Sequence, residues 1–374
     1  MKRIFIAFLI IFINQGYCQI DNGLFDGEND RIAKLDSSTS NNQNSAFGLG
    51  GLNYFKNNEF QEKHNPGETL FGTLLWAGYN LKLSKTALVT IGALCNIKYG
   101  SSAISQIPLF PIIQLRYKLK NTELIVGSIE SNTKHNLQEA QINIENSFNQ
   151  PLEYGLQYLL KNSWLNYDLW LNWRQMAIPQ IAQQEIISFG QSASLILYEN
   201  KIKNAVLSIP ISTLIYHKGG ESLIVQKPIV NDFNGSIGGK LFLGKIGLEI
   251  SNIIFLSHDF SPVMTHTFKS GIANQSYLKM AINKNQFLCV IYYYAKEYFS
   301  PLASNLFLSE NSNNPILTDR IRNFTMIRYQ YKKELIAKKL SIDLRAEPIY
   351  HMESNKFAFS TGLYFKYNIG SVIL

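Results

Sequence analysis

"STGLYFKYNIGSVIL" (Ser360–Leu374) closes the chain, and its alternation decides how the rest is read. Successive side chains on a strand point to opposite faces. Leu363, Phe365, Tyr367 and Ile369 therefore share one face, with Gly362, Lys366 and Asn368 on the other. An apolar ladder of this kind is costly in water and at home against hydrocarbon. A strand in lipid must also have its backbone groups paired, which only a closed barrel provides. The final strand thus predicts a lipid-facing wall and closure against the first strand.

The same period of two recurs along the chain. Ala87, Val89, Ile91, Ala93, Cys95 and Ile97 oppose Thr90, Gly92, Asn96 and Lys98. Leu165, Tyr167, Leu169, Leu171 and Trp173 oppose Asn166, Asp168, Asn172 and Arg174. Leu340, Ile342, Leu344 and Ala346 oppose Ser341, Asp343, Arg345 and Glu347. Each run covers about ten residues, the length a tilted strand needs to cross a bilayer. Short turns are expected at 84–85, 120–121, 161–163, 199–201, 244–245, 284–285 and at Lys332-Lys333-Glu334. Longer connections alternate with them near 57–68, 99–107, 130–152, 177–184, 217–225, 257–264, 298–321 and 351–356. Turns at one rim and long loops at the other are the asymmetry of an outer-membrane barrel. With a first strand in "SAFGLGGLNYFKNN", residues 45–374 read as an all-β, transmembrane, up-and-down antiparallel β-barrel of about sixteen strands, with fourteen to eighteen acceptable.

The beginning of the chain fits that address. Lys2 and Arg3, the apolar run Ile4–Ile13 and the small residues around Gly16-Tyr17-Cys18 have the layout of a secretory signal peptide cut near Cys18/Gln19. Its removal takes the formal charge from +8 to +6 and leaves Cys95 and Cys289, both in strand-like runs that suggest neither a disulfide framework nor a metal site. The longest charge-free run beyond it, Tyr99–Leu115, is broken by Pro108 and Pro111, so no stretch is apolar and long enough for a spanning helix. Residues 19–44 are polar, acidic and end in a Ser/Asn tract; they read as a leader or as a plug tucked into the lumen.

The closing strand also resembles the C-terminal targeting signal of Gram-negative outer-membrane barrels. A polar residue, a glycine and two aromatics follow at the fixed spacing as Ser360, Gly362, Phe365 and Tyr367, with seven residues after the last. The resemblance implies a porin-like barrel in the cell outer membrane, surrounded by outer-membrane lipid and inserted by the barrel-assembly machinery. The third long connection, "ESNTKHNLQEAQINIENSFNQP", resembles in ordinal position and length the loop that folds inward in general porins. It is expected to be partly helical around Leu137–Phe148, with Glu139 and Glu145 facing a basic ladder if it does fold inward.

Inward faces collect charge of both signs. Arg116, Lys118, Arg174, Lys240, Lys269, Arg328, Arg345 and Lys366 are expected on the lumen with Asp168, Glu249, Asp343 and Glu347. On the lipid face near the midplane each charge would cost about 2–4 kcal/mol. The functional expectation is a pore for passive passage of small polar solutes, tuned by these charges. The alternative is a structural or interaction barrel with an occluded lumen, recognising partners through its loops or assisting surface-polymer export. A homo-oligomer is compatible with both, and no cofactor is implied.

Catalysis is not expected. Ser257, His258 and Asp259 are adjacent on a strand, so they point to alternate faces and cannot form a relay by themselves. No combination resembles the outer-membrane phospholipase signature. His64, His135, His217, His258, His266 and His351 fall in or beside long connections without ligand spacing, and read as solvated. "YHKGGES" (Tyr216–Ser222) is a hairpin tip rather than a phosphate loop. Basic residues are spread singly, which gives no nucleic-acid surface.

Overall fold

In a computed structural model of the chain, residues 45–62, 65–100, 107–143, 145–181, 183–219, 227–312, 314–337 and 339–373 are described. The signal peptide expected at residues 1–18 and the expected leader or plug at 19–44 lie outside these residues.

The strands are β1 (Ser45–Glu62), β2 (Asn65–Lys82), β3 (Ala87–Lys98), β4 (Leu109–Leu119), β5 (Thr122–Ile129), β6 (Glu153–Lys161), β7 (Leu165–Gln175) and β8 (Glu185–Asn200). The second half holds β9 (Ala205–Gly219), β10 (Val230–Leu243), β11 (Leu248–Asp259), β12 (Ser270–Ala281), β13 (Gln286–Lys296), β16 (Ile321–Ile336), β17 (Leu340–His351) and β18 (Lys356–Ile373). Together they close one antiparallel barrel of sixteen strands. The two short strands β14 (Glu310–Asn311) and β15 (Asn314–Thr318) pair only with each other. Closure runs from Ala46↔Ile373 to Glu59↔Phe359 between β1 and β18, so the terminal strand is paired on both sides.

Alternation sorts the side chains as the sequence predicts. On β16, Phe324, Met326, Arg328 and Gln330 are buried, whereas Ile327 and Tyr329 are exposed on the outer wall. On β18, Ser360, Gly362 and Tyr364 face in, while Phe365 and Ile369 face out. The outer wall is the surface that hydrocarbon covers.

Three connections differ from expectation. The stretch 57–68 is not a long loop: β1 continues to Glu62 and β2 begins at Asn65. The stretch 351–356 is likewise only a turn between β17 and β18. The turn expected at Lys332-Lys333-Glu334 comes later, because β16 runs on to Ile336 with Lys332 opposite Asp343 and Glu334 opposite Ser341. In each case the strand extends past the apolar belt, where charged side chains cost nothing on either face.

The barrel is not hollow. Two connections, 130–152 between β5 and β6 and 297–320 between β13 and β16, leave the wall eight strands apart on the ring of sixteen and fold into the lumen. The first buries Leu137, Ala140, Ile142 and Phe148; the second buries Tyr298, Phe299, Leu306, Phe307 and Leu308. They meet across the axis. Asn143 N donates to Leu302 O at 2.6 Å, Tyr298 Oη to Ala140 O at 3.0 Å, and Ser300 Oγ to Gln141 O at 3.2 Å.

Candidate functional site

The interior is a floor and a vestibule. The floor is the pair of inserted loops, and each is held to the wall by apolar packing and ion pairs together. Phe148 stacks on Tyr54 of β1 with ring centroids 4.4 Å apart and lies 6.0 Å from Tyr364 of β18. Tyr293 and Phe324, on β13 and β16, pack edge-on or tilted against Phe307 and each other. On the first loop, Glu139 accepts two bonds from the Arg328 guanidinium at 2.6 and 3.0 Å, and Arg328 Nε also donates to Glu347. Glu145 accepts from Lys56 Nζ at 2.6 Å and from Asn58 Nδ2 at 2.8 Å. Ser212 Oγ donates to Gln141 Oε1 at 2.7 Å. A charged group stripped of water must be paired or it is very costly, and both loop carboxylates are paired.

Two histidines serve as further anchors. His135 lies flat on Trp170 (centroids 3.8 Å apart) and contacts Asp168 Oδ2 at 2.8 Å and Glu153 Oε2 at 3.3 Å. Trp170 in turn covers Gly190, where a Cβ would fall 2.2 Å from its ring. On the connection between β11 and β12, His266 stacks on Phe299 and bridges Asp232, at 2.9 Å, to Glu310. Burial would lower the His266 pKa, but hydrogen bonds and charge from Asp232 and Glu310 outweigh it and raise it to about 10.

The vestibule is a cavity of about 480 Å³ on the turn side of this floor, bounded below by Leu137, Gln138 and Glu139. It exists because the facing wall is built from small side chains: Ser192 and Ser194 of β8, Ser208 and Ser212 of β9, Ser236 of β10 and Ser251 of β11. Tyr277 and Phe242 supply its aromatic surface. Several of its charges are paired within the protein. Arg116 binds Glu123 at 2.6 Å and Glu130 at 2.8 Å, and Lys240 binds Glu249 at 2.8 Å.

The residues expected on the lumen divide among these places. Arg116, Asp168, Lys240 and Glu249 line the vestibule. Lys118 pairs with Glu123 at 3.0 Å but is 41% exposed towards the turn rim. Arg328, Arg345 and Glu347 are buried against the floor, with Arg345 bonded to Asp343 at 3.2 Å. Arg174 reaches Gln150. Lys366 lies on the inward parity of β18, half-buried. Lys269 is exposed in the connection before β12 rather than on an inward strand face, because that strand begins only at Ser270. Of the targeting-type residues, Ser360 donates to Asn58 Oδ1 at 2.8 Å inside the barrel, whereas Phe365 and Tyr367 lie on the outward parity.

Several expectations need correction. The first loop is helical only at Asn146–Asn149, plus a 3-10 turn at Asn132–His135, because its backbone bonds go to the second loop and to wall side chains instead. His135, His266 and His351 are not solvated: two are ion-paired and His351 is buried beside Phe324, while His64 lies outside the described residues. Sequence reasoning placed the second loop, near 298–321, among the long connections at the rim and missed that it folds inward. Its signal was composition: "YFSPLASNLFL" (Tyr298–Leu308) is too apolar for an external loop. Ser257 and Asp259 do point inward and His258 outward, where its Nδ1 lies 2.7 Å from Ser270 Oγ.

A family model described as lipid A 3'-O-deacylase-type matches residues 37–374. A search of curated protein sequences finds no match. Among solved structures, the barrel is similar to the outer membrane protein OprD from Pseudomonas aeruginosa (TM-score 0.54, 10% identity, 88% of this chain and 94% of that one). It is similar to OmpT, an outer membrane protein of Vibrio cholerae in a trimer form (TM-score 0.55, 7% identity, 87% and 99%). It also matches an anion-selective porin from Comamonas acidovorans (TM-score 0.53, 8% identity, 87% and 100%). The fold is that of a porin-like outer-membrane barrel, and the protein is an integral component of the outer membrane.

Proposed function

The chain belongs to the lipid A 3'-O-deacylase-type family, and from the geometry of its interior we propose that it is a loop-gated outer-membrane channel for small polar solutes. The observation that carries this reading is the vestibule of about 480 Å³, walled by serine hydroxyls and closed by a floor that is latched through ion pairs. A lumen meant only to be filled would carry large apolar side chains where β8 and β9 carry Ser192, Ser194, Ser208 and Ser212, as β13 and β16 do opposite Phe307. A solute enters from the turn rim, exchanges water for hydroxyls and amides, and passes when Glu139 and Glu145 leave Arg328 and Lys56. The similarity of fold to barrels named as porins supports conduction. A freely open, purely passive pore is not what the latched floor supports.

The test is conductance in planar bilayers, comparing the wild type with a variant whose residues 138–147 are replaced by a short Gly-Ser link. The wild type is expected to flicker between closed and open levels and the variant to conduct steadily. Silence from both would sink the channel.

The family match supports a second reading, ester hydrolysis on lipid A. The contact that favours it is Ser270–His258, on the outer wall at the loop end of β11 and β12, among exposed Leu256, Phe260, Val263 and Ile272. There Ser270 Oγ would attack an acyl carbonyl while His258 takes its proton and returns it to the leaving sugar hydroxyl. Water would then release the fatty acid from the acyl-serine. Mass spectrometry of lipid A incubated with the protein should show loss of one acyl chain, abolished by Ser270→Ala; unchanged lipid A removes this reading.

A further inference from the structure

On β11 and β12 the apolar belt of the outer wall is interrupted by a cluster of amides and a hydroxyl. On β11, Ile250, Ile254 and Leu256 are exposed towards hydrocarbon; on β12, Ile272, Leu278 and Met280 are. Between them, on the same faces, stand Asn252, Asn274 and Ser276. Asn252 Nδ2 donates to Asn274 Oδ1 at 3.1 Å and to Ser276 Oγ at 2.8 Å, and Asn274 Nδ2 donates back to Asn252 Oδ1 at 3.1 Å. Tyr292 of β13, 39% exposed, is the cross-strand partner of Ser276. Opposite Asn252 on β10 is Gly239, where an added Cβ would meet nothing within 4 Å. The result is a shallow, glycine-floored depression rimmed by amides and hydroxyls, flanked along both strands by apolar side chains.

Lipid tails offer such a rim nothing. The amides partly satisfy one another, but the Ser276 and Tyr292 hydroxyl protons and the second lone pairs of the two amide oxygens remain for a partner. In membranes, small residues that permit close approach and polar side chains that bond across are what hold spanning elements together. This patch carries no charge and offers donors and acceptors side by side, so it is complementary to itself under a two-fold rotation. We propose that the β10–β13 wall is where two copies of this chain associate within the outer membrane, with Asn252, Asn274 and Ser276 bonding across the axis and Gly239 at the closest approach. This contact is independent of whether the lumen conducts.

The test is disulfide formation in native membranes, with Cys18, Cys95 and Cys289 changed to Ser. Gly239→Cys is expected to give a covalent dimer on oxidation, while Leu124→Cys on the exposed face of β5 is not. Adding Asn252→Leu and Asn274→Leu should reduce the Gly239→Cys dimer roughly tenfold, while the folded barrel keeps its heat-modifiable mobility. Three results overturn the proposal: no dimer from Gly239→Cys, an undiminished dimer in the leucine variant, or a cross-link to a protein of different mass.

Discussion

His266 shows how much one side chain can decide. Its pKa of about 10, against an ordinary 6.5, means that the imidazolium is the form that bridges Asp232 to Glu310 at neutral pH, with Thr267 N also donating to Glu310 at 2.9 Å. A pKa raised on folding contributes stability that is complete below about 6.5 and is lost as pH rises through about 10. Hydrogen exchange of residues 298–309, once corrected for intrinsic rates, should therefore be slow and pH-independent below about 6.5 and accelerate progressively between 6.5 and 10. His266→Gln should abolish that step. None of this was legible in the sequence. The partners of His135 and His266 lie 18, 33, 34 and 44 positions away, so a histidine in a connection looked solvated.

At the level of the element, what could be read was whatever a period of two encodes. The faces of β3, β7, β17 and β18 came out as the alternation demands, because a one-residue slip would turn every apolar side chain of a strand into the lumen. The strand ends were less legible. Beyond the belt neither face meets hydrocarbon, and Lys332-Lys333-Glu334, which looks like a turn, continues a ladder. The two inserted loops have no period at all. Their course is fixed by side chains that meet across the barrel, such as Glu139 with Arg328 at a separation of 189 residues. Only composition hinted at it, through Tyr298, Phe299, Leu306, Phe307 and Leu308 in a supposed external loop.

For the molecule as a whole, the two walls obey different solvents, and substitutions should reveal which. Ile327 lies on the outer wall of β16, 44% exposed, whereas Ser194 lines the vestibule. Ile327→Arg should cost about 2–4 kcal/mol if it lies near the midplane, lowering the denaturant midpoint for unfolding from vesicles. Ser194→Arg should leave that midpoint nearly unchanged, since the vestibule is wet. Equal losses would mean the walls had been assigned the wrong way round. The two loops spring from opposite points of the ring and join by backbone bonds at its centre. That junction cannot be made on a half-curled sheet, since the two halves of the bridge are brought together only when the hoop shuts. The span across the middle therefore depends on an intact circumference, and a fault in the β1–β18 seam should slacken it as well.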